Sequence, residues 1–190
     1  MKVLVISQPK SGTYLCANLL QQLGLNFTGL HISKDHYQKY DLNNLEDCKT
    51  NGRKYTTKLN VEESIKIVKE NQFAVSHLRH SKKHVDITSD FKKIILTRNY
   101  DEVIESWERW ATETNRNFNS RHIDKSVQKN ILNWLNESNI FHLTFNNIYN
   151  KNILVIDNLQ NFLFGEVKVD SLNALTTALD QPSLTKSRLR

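Results

Sequence analysis

A chain of 190 residues, 38% apolar and 24% charged with a net charge of +6, has the length to bury a real core and the composition of an ordinary globular protein. Its make-up excludes several classes: no apolar run approaches the ~20 residues of a membrane helix, the first residues lack a secretory pattern, and two cysteines, Cys16 and Cys48, are too few for a disulfide framework and lack metal spacing. The expectation is a reduced, cytoplasmic protein whose positive charge admits an anionic partner, although the basic residues are scattered and match no nucleic-acid motif.

Lys2 to Ser7 is a short β-branched apolar run of the kind a buried parallel strand shows. Gln8 to Gly12 reads as a turn, Thr13 to Leu23 as a helix in which Cys16 is a core residue, and Gly24 as its C-terminal cap. Residues 28–60 are polar and irregular and read as a long loop. Val61 to Asn71 is a predicted helix, followed by a strand at Phe73–Ser76 and another at Phe91–Thr97. Tyr100 to about Thr114 is a predicted helix with Val103, Ile104, Trp107 and Trp110 inward. Ile123 to Glu137 is a further helix, packing through Val127, Ile131, Leu132 and Leu135. A fourth strand is expected at Asn152–Asp157 and a last short helix at Ser171–Leu179. The alternation predicts one domain over residues 1–190, of α/β class, with three α/β/α layers around a central parallel sheet of four to five strands.

Two segments carry chemistry. Gln8-Pro9-Lys10-Ser11-Gly12-Thr13 lies between a strand and a helix, where backbone N–H groups meet the positive end of the helix dipole. Gly12 permits close approach of an oxyanion, Lys10 adds a mobile charge, and Ser11 and Thr13 add hydroxyls. The segment does not fit G-x-x-x-x-G-K-[ST]. In the second, Thr97-Arg98-Asn99 ends a strand and Ser106 follows eight residues after the arginine. Arg98 offers a bidentate fork for phosphate and Ser106 a hydroxyl. Read alone, Arg98 pairs equally well with Asp101, Glu102 or Glu105.

Taken together, Pro-Lys-Ser-Gly-Thr after an N-terminal strand and Arg-Asn with a serine at the eighth position beyond the arginine resemble the sulfotransferase family that uses 3′-phosphoadenosine-5′-phosphosulfate (PAPS). The patterns of that family are Pro-Lys-Ser-Gly-Thr-Thr-Trp and Arg-Asn-Pro-x-Asp-x-x-x-Ser. The resemblance implies a P-loop-like sulfotransferase fold, with Lys10, Ser11, Gly12 and Thr13 at the 5′-phosphosulfate and Arg98 and Ser106 at the 3′-phosphate. Phe73-Ala-Val-Ser-His-Leu78 is similar to the family strand ending in Lys-Thr-His-Leu-Pro, which makes His77 the expected base. Ile153 to Leu159 resembles the later strand that ends in Tyr-Glu-Asp-Leu.

The chain departs from the family at several points. Tyr14 and Leu15 replace Thr-Trp, so the adenine-stacking tryptophan is missing and Tyr14 is its expected substitute. Val75 replaces a lysine, Arg79 a proline and possible source of the lost charge, and Tyr100 another proline. In the basic end of the chain, Lys186 and Arg188 are the candidates for the family's 3′-phosphate loop. Lys10 and His77 are then the catalytic pair, PAPS the co-substrate and PAP its product, with no metal required. The expected acceptor is a small molecule or saccharide bearing a hydroxyl or amine, with His31, His36, Tyr37, Tyr40 and Arg116 available to border it and no nucleic acid or membrane as partner. A nucleotide kinase and a non-catalytic PAP- or anion-binding protein are the competing readings, and oligomeric state stays open.

Overall fold

The computed structural model describes residues 1–33, 37–39, 47, 52–113 and 124–181. Their strands are β1 (Lys2–Ser7), β2 (Asn26–Ile32), β3 (Tyr37–Lys39), β4 (Thr56–Thr57), β5 (Gln72–Ser76), β6 (Phe91–Thr97) and β7 (Ile140–Thr144). They form one sheet in the order β4-β3-β2-β5-β1-β6-β7. Five strands, β2-β5-β1-β6-β7, run parallel, and β3 and β4 extend one edge antiparallel. The helices are α1 (Thr13–Gln22), α2 (Val61–Lys66), α3 (Lys82–Ile87), α4 (Tyr100–Glu113), α5 (Lys125–Leu132), α6 (Phe145–Tyr149), α7 (Ile153–Phe164) and α8 (Ser171–Asp180). Among the described residues, no helix is long and apolar enough to cross a membrane.

The three expected layers follow from the alternation of side chains along β1. Val3 and Val5 join Leu15, Cys16, Leu19, Ile156 and Leu175 on one face of the sheet. Leu4 and Ile6 join Leu30, Ile65, Phe91 and Trp134 on the other. With both faces covered, the strand reads as a continuous apolar run, which is why β1, β5 and β6 were visible in the sequence. Gly24 (φ 92°) closes α1 as expected, and Cys16 is buried, its thiol pushed up to about 12 by desolvation.

Four expectations are corrected. Residues 28–60 are not simply a loop: they hold most of β2, the edge strands β3 and β4, and a 3-10 turn at Gly52–Tyr55. In β2 the pairing register with β5 shifts between Phe27 and His31, a bulge that destroys the two-residue period. The helix from Val61 ends at Lys66, short of Asn71, whose left-handed backbone (φ 60°) turns the chain into β5. The helix expected at 123–137 tightens into a 3-10 turn at Asn133–Asn136, which buries Trp134 and leaves Leu132 39% exposed.

The fourth correction bears on the site. Asn152–Asp157 is not a strand: Asn152 caps α7 by accepting from the Val155 N–H, and Ile156, Leu159, Gln160 and Leu163 are buried at helical spacing. Leu154, in the middle of the apparent strand, is 70% exposed. The strand that pairs with β6 on the side away from β1 is β7, which runs into Phe145-Asn-Asn-Ile148, an aromatic–polar–polar–aliphatic run like the Tyr-Glu-Asp-Leu element sought further along. As an edge strand whose side chains are only partly covered, β7 lacks a continuous apolar run.

The helical register of α7 makes a sharp distinction between neighbours. Ile156→Ala should lower the free energy of unfolding by about 2–5 kcal/mol and Leu154→Ala by less than about 0.5 kcal/mol, measured by urea denaturation followed by circular dichroism. Equal losses would restore the strand reading.

Candidate functional site

The C-terminal ends of β1, β5 and β6 build the site. From β1 the chain turns through α1 toward β2, and from β6 it turns through α4 and α5 toward β7, on the opposite side. The two connections diverge at neighbouring strand ends, where Ser7 pairs in register with Leu96. In a parallel α/β sheet this divergence opens a crevice for ligands.

The loop after β1 makes a tight turn, the Ser11 N–H donating to the Gln8 carbonyl (3.2 Å). Lys10 (φ 68°) and Gly12 (φ 90°) are both left-handed, which costs a non-glycine residue such as Lys10 about 1–2 kcal/mol. Gly12 has no alternative. A Cβ there would come 2.6 Å from Cδ2 of Phe145. The Gly12 carbonyl accepts from the Cys16 N–H (3.0 Å), opening α1 with no side chain over its first amides. Ser11 is fully buried and its hydroxyl has no hydrogen-bond partner. A buried unsatisfied hydroxyl costs about 1–3 kcal/mol, and beside the N–H groups at a helix start it fits an anion.

Arg98 joins this loop from β6. Its Nε–H donates to Glu102 (2.9 Å), one of the three acidic partners foreseen, and its Nη1–H donates to the Lys10 carbonyl (3.3 Å). The guanidinium lies 4.0 Å from the centroid of the Phe145 ring, a favourable cation–π contact, and Gln128 donates to the Arg98 carbonyl (3.0 Å). Ser106 sits one helical turn beyond Glu102 on the same face of α4. The Lys10 ammonium rests over Trp107 (5.0 Å) and Trp110 (4.4 Å), whose rings meet edge to face.

His77 follows β5 directly. Its Nδ1 is 2.7 Å from the Ser7 carbonyl, which can only accept, so the proton of the neutral ring sits on Nδ1 and Nε2 is the acceptor. The Ser7 hydroxyl is bonded to that of Thr13 (2.8 Å), linking the histidine to the anion loop. Burial lowers the pKa of His77 to about 4, against smaller opposing effects of the Ser7 and Ser76 backbone. The segment beyond is pinned by Trp134 Nε1–H on the Leu78 carbonyl (3.1 Å) and the His80 N–H on Asn130 (2.7 Å).

The structure thus brings Lys10, Ser11, Gly12, Thr13, Arg98 and His77 to one crevice. Tyr14 is buried and its hydroxyl is bonded to His31 Nδ1 (2.6 Å), so its ring faces the histidine. Leu15, where the family has tryptophan, is core. Val75 is buried on the α1 face, and Arg79 is exposed on the loop before α3. Lys186, Arg188, His36, Tyr40 and Arg116 lie outside the described residues. The described residues hold no group of three or more His, Cys, Asp or Glu placed to bind a metal. The contacts of Phe145 and of the two tryptophans with Gly12, Arg98 and Lys10 were not visible in the sequence, because nothing local ties these residues together.

Compared with known families, residues 1–178 match the model of the sulfotransferase domain. Among solved structures, the chain is similar to a sulfotransferase domain from the curacin biosynthetic pathway (TM-score 0.59, 16% identity, over 90% of this chain and 75% of that one). It is also similar to retinol dehydratase in complex with androsterone and inactive cofactor PAP (0.61, 15%, 94% and 64%), and to mouse sulfotransferase SULT7A1 complexed with PAP (0.56, 15%, 95% and 64%). At these identities the likeness is one of fold, and the chain spans 64% of the length of the latter two. No curated protein matches in sequence.

Two outcomes follow from this geometry. Gly12→Ala should be destabilised by more than the ~1–2 kcal/mol of a left-handed alanine, because its Cβ also meets Phe145. Thermal unfolding of Gly12→Ala against the double variant with Phe145→Leu, which should recover part of the loss, checks this. For His77, the folded pKa lies below the ordinary value of about 6.5, so the unfolded chain takes up the proton first as pH falls. Its contribution to stability is complete above about pH 6.5 and is lost as pH falls toward 4. His77→Gln should flatten the pH dependence of denaturant unfolding in that window.

Proposed function

We infer that this chain, which belongs to the sulfotransferase domain family, transfers a sulfuryl group from PAPS to a hydroxyl or amine acceptor. The observation that carries the reading is the Arg98 donation to the Lys10 carbonyl, which sets a guanidinium beside a helix-start anion cradle. A ligand with two separate anionic groups, a 5′-phosphosulfate and a 3′-phosphate, suits that pair of sites.

In this reading the N–H groups of Gly12 to Tyr14 and the Ser11 hydroxyl hold the 5′-phosphate, the hydroxyl gaining the acceptor it lacks. Gly12 lets the oxyanion approach. Thr13 supports the cradle through Ser7. Arg98, oriented by Glu102 and Phe145, receives the 3′-phosphate with Ser106 as a hydroxyl donor, and Lys186 and Arg188 are assigned to the same group. Tyr14 contributes its backbone, its ring being committed to His31.

Sulfuryl transfer resembles phosphoryl transfer, an in-line displacement in which positioning and fixed charge do most of the work. The bond from sulfur to the bridging oxygen breaks as the bond to the acceptor oxygen or nitrogen forms. Lys10 stabilises the charge developing on the bridging oxygen as PAP leaves. The acceptor proton goes to Nε2 of His77, the nitrogen left bare by the Nδ1–H bond to Ser7. The imidazolium so formed keeps that carbonyl as its partner. A small molecule or saccharide is the acceptor we assign, with His31 and Tyr37 near its side of the crevice.

Calorimetric titration with PAP, using ADP and AMP as controls and no magnesium, tests the co-substrate. PAP should bind at least ten-fold more tightly than either control, and Arg98→Ala should abolish that preference, a change of about 1.4 kcal/mol or more. Equal binding of all three would overturn the reading. His77→Ala should lose roughly 10²–10⁴-fold in turnover of PAPS while PAP binding holds.

A further inference from the structure

The general base has a neighbour that neither the family patterns nor the anion site accounts for. His31 lies on β2 in register with Val75, and His77 is the diagonal neighbour two residues on. His77 follows just past the end of β5, and the two imidazole centroids are 4.4 Å apart at 71°. The backbone reinforces the pairing, the His77 N–H donating to the Ile32 carbonyl at 3.4 Å. From the other side, α1 brings Tyr14 edge-on to His31, with the hydroxyl 2.6 Å from Nδ1. Both residues are nearly fully buried, yet each carries a polar group. Tyr14 stands at the position where the family pattern has threonine, so the hydroxyl that reaches His31 comes with the departure.

The geometry points to His31, tethered by Tyr14, as a positioning residue for His77: it holds the imidazole with Nδ1 on the Ser7 carbonyl and Nε2 toward the acceptor, and keeps water from the buried edge. The proposal rests on the reading of His77 as the base.

Contacts at Nδ1 alone, with the Ser7 carbonyl at 2.7 Å and the Ser7 hydroxyl at 3.4 Å, leave the second torsion of a histidine soft, since that torsion has no sharp staggered wells. A ring packed against one side removes the alternatives. A packed ring is useful here only if it cannot itself turn, and the Tyr14 hydroxyl fixes it. The water-excluding part follows from burial: desolvation is the largest influence lowering His77 to about 4, and the His31 ring lies against it. Among the described residues, the titratable groups that face His31 include Tyr14 from α1 and His77 just after β5. Its register partner on β3 is Gln38, while Tyr37 and Lys39 pair with Ile32 and Leu30, whose side chains lie on the opposite face.

The test reads His77 directly. Nitrogen-15 imidazole spectra of the full chain, with His77 assigned by loss of its signals in His77→Gln, report tautomer and titration without PAPS or acceptor. In the unaltered chain His77 should be a single Nδ1–H tautomer titrating near about 4. In His31→Ala the midpoint should rise toward ~6.5 as water enters, and the tautomer should become mixed. Tyr14→Phe keeps the ring volume and removes only the tether, so it should fold and mix the tautomers with a smaller rise. In turnover of PAPS with any acceptor found, kcat should fall on the order of ten-fold in both variants while KM for PAPS holds within about two-fold. An unchanged tautomer and midpoint in Tyr14→Phe and His31→Ala would overturn the proposal, and so would a fall in kcat with no change at His77. Failure of the base assignment shows separately, as normal turnover in His77→Ala.

Discussion

The Phe145 ring holds the candidate site together. One face carries the Arg98 guanidinium at 4.0 Å, and its edge occupies the space that a side chain at position 12 would need. Because Gly12 offers no Cβ, the ring can approach the anion loop, and because the ring is there, Arg98 is steered to the Lys10 carbonyl and Glu102. Three segments far apart in sequence are thereby locked by one aromatic side chain. The contact is dispersive and electrostatic at once, which tolerates small shifts better than a hydrogen bond whose angle must be kept.

Around that wedge the polar groups fall into two kinds. Some are mutually satisfied: Ser7 with Thr13, His77 with the Ser7 carbonyl, Tyr14 with His31, Arg98 with Glu102. These fix orientation. Others are buried and unsatisfied: the Ser11 hydroxyl beside the helix start, the Gln8 amide nitrogen in the same loop and the Asn18 amide on α1. A fold that keeps the Ser11 hydroxyl in such a place bears a penalty that an anion would relieve. The Lys10 ammonium lies over two indoles, each such contact worth about 0.5–2 kcal/mol.

Topology explains why the anion loop and Arg98, 88 residues apart, meet at all. The loop leaves β1 and the arginine ends β6, and these strands are neighbours running the same way, so their C-terminal ends lie side by side. β5 lies on the other flank of β1 and delivers His77 to the same edge. No long-range charge steering is needed, only the parallel order β5-β1-β6 and the exits of the connecting segments in opposite directions.

By itself the sequence determined the inner strands and singled out the glycine, lysine and hydroxyls of the loop after β1. β1, β5 and β6 are buried on both faces and so announce themselves as apolar runs, and a loop that must cradle an anion needs glycine, lysine and hydroxyls at neighbouring positions. The register of Arg98 and Ser106 was legible for the same reason, as both lie within one local segment. Only the tertiary structure decided the rest. β2 hides behind a bulge, β7 is a half-covered edge, and Ile153-Leu-Val-Ile is strand-like in its first four residues and helical only once Leu159 and Leu163 extend the period. The placement of Phe145 beside Gly12, of the tryptophans over Lys10 and of His31 beside His77 depends on which strands become neighbours, and no local pattern encodes that. A hydrophobic period reports what a residue turns toward the core, whereas a site is assembled from what separate elements turn toward one another.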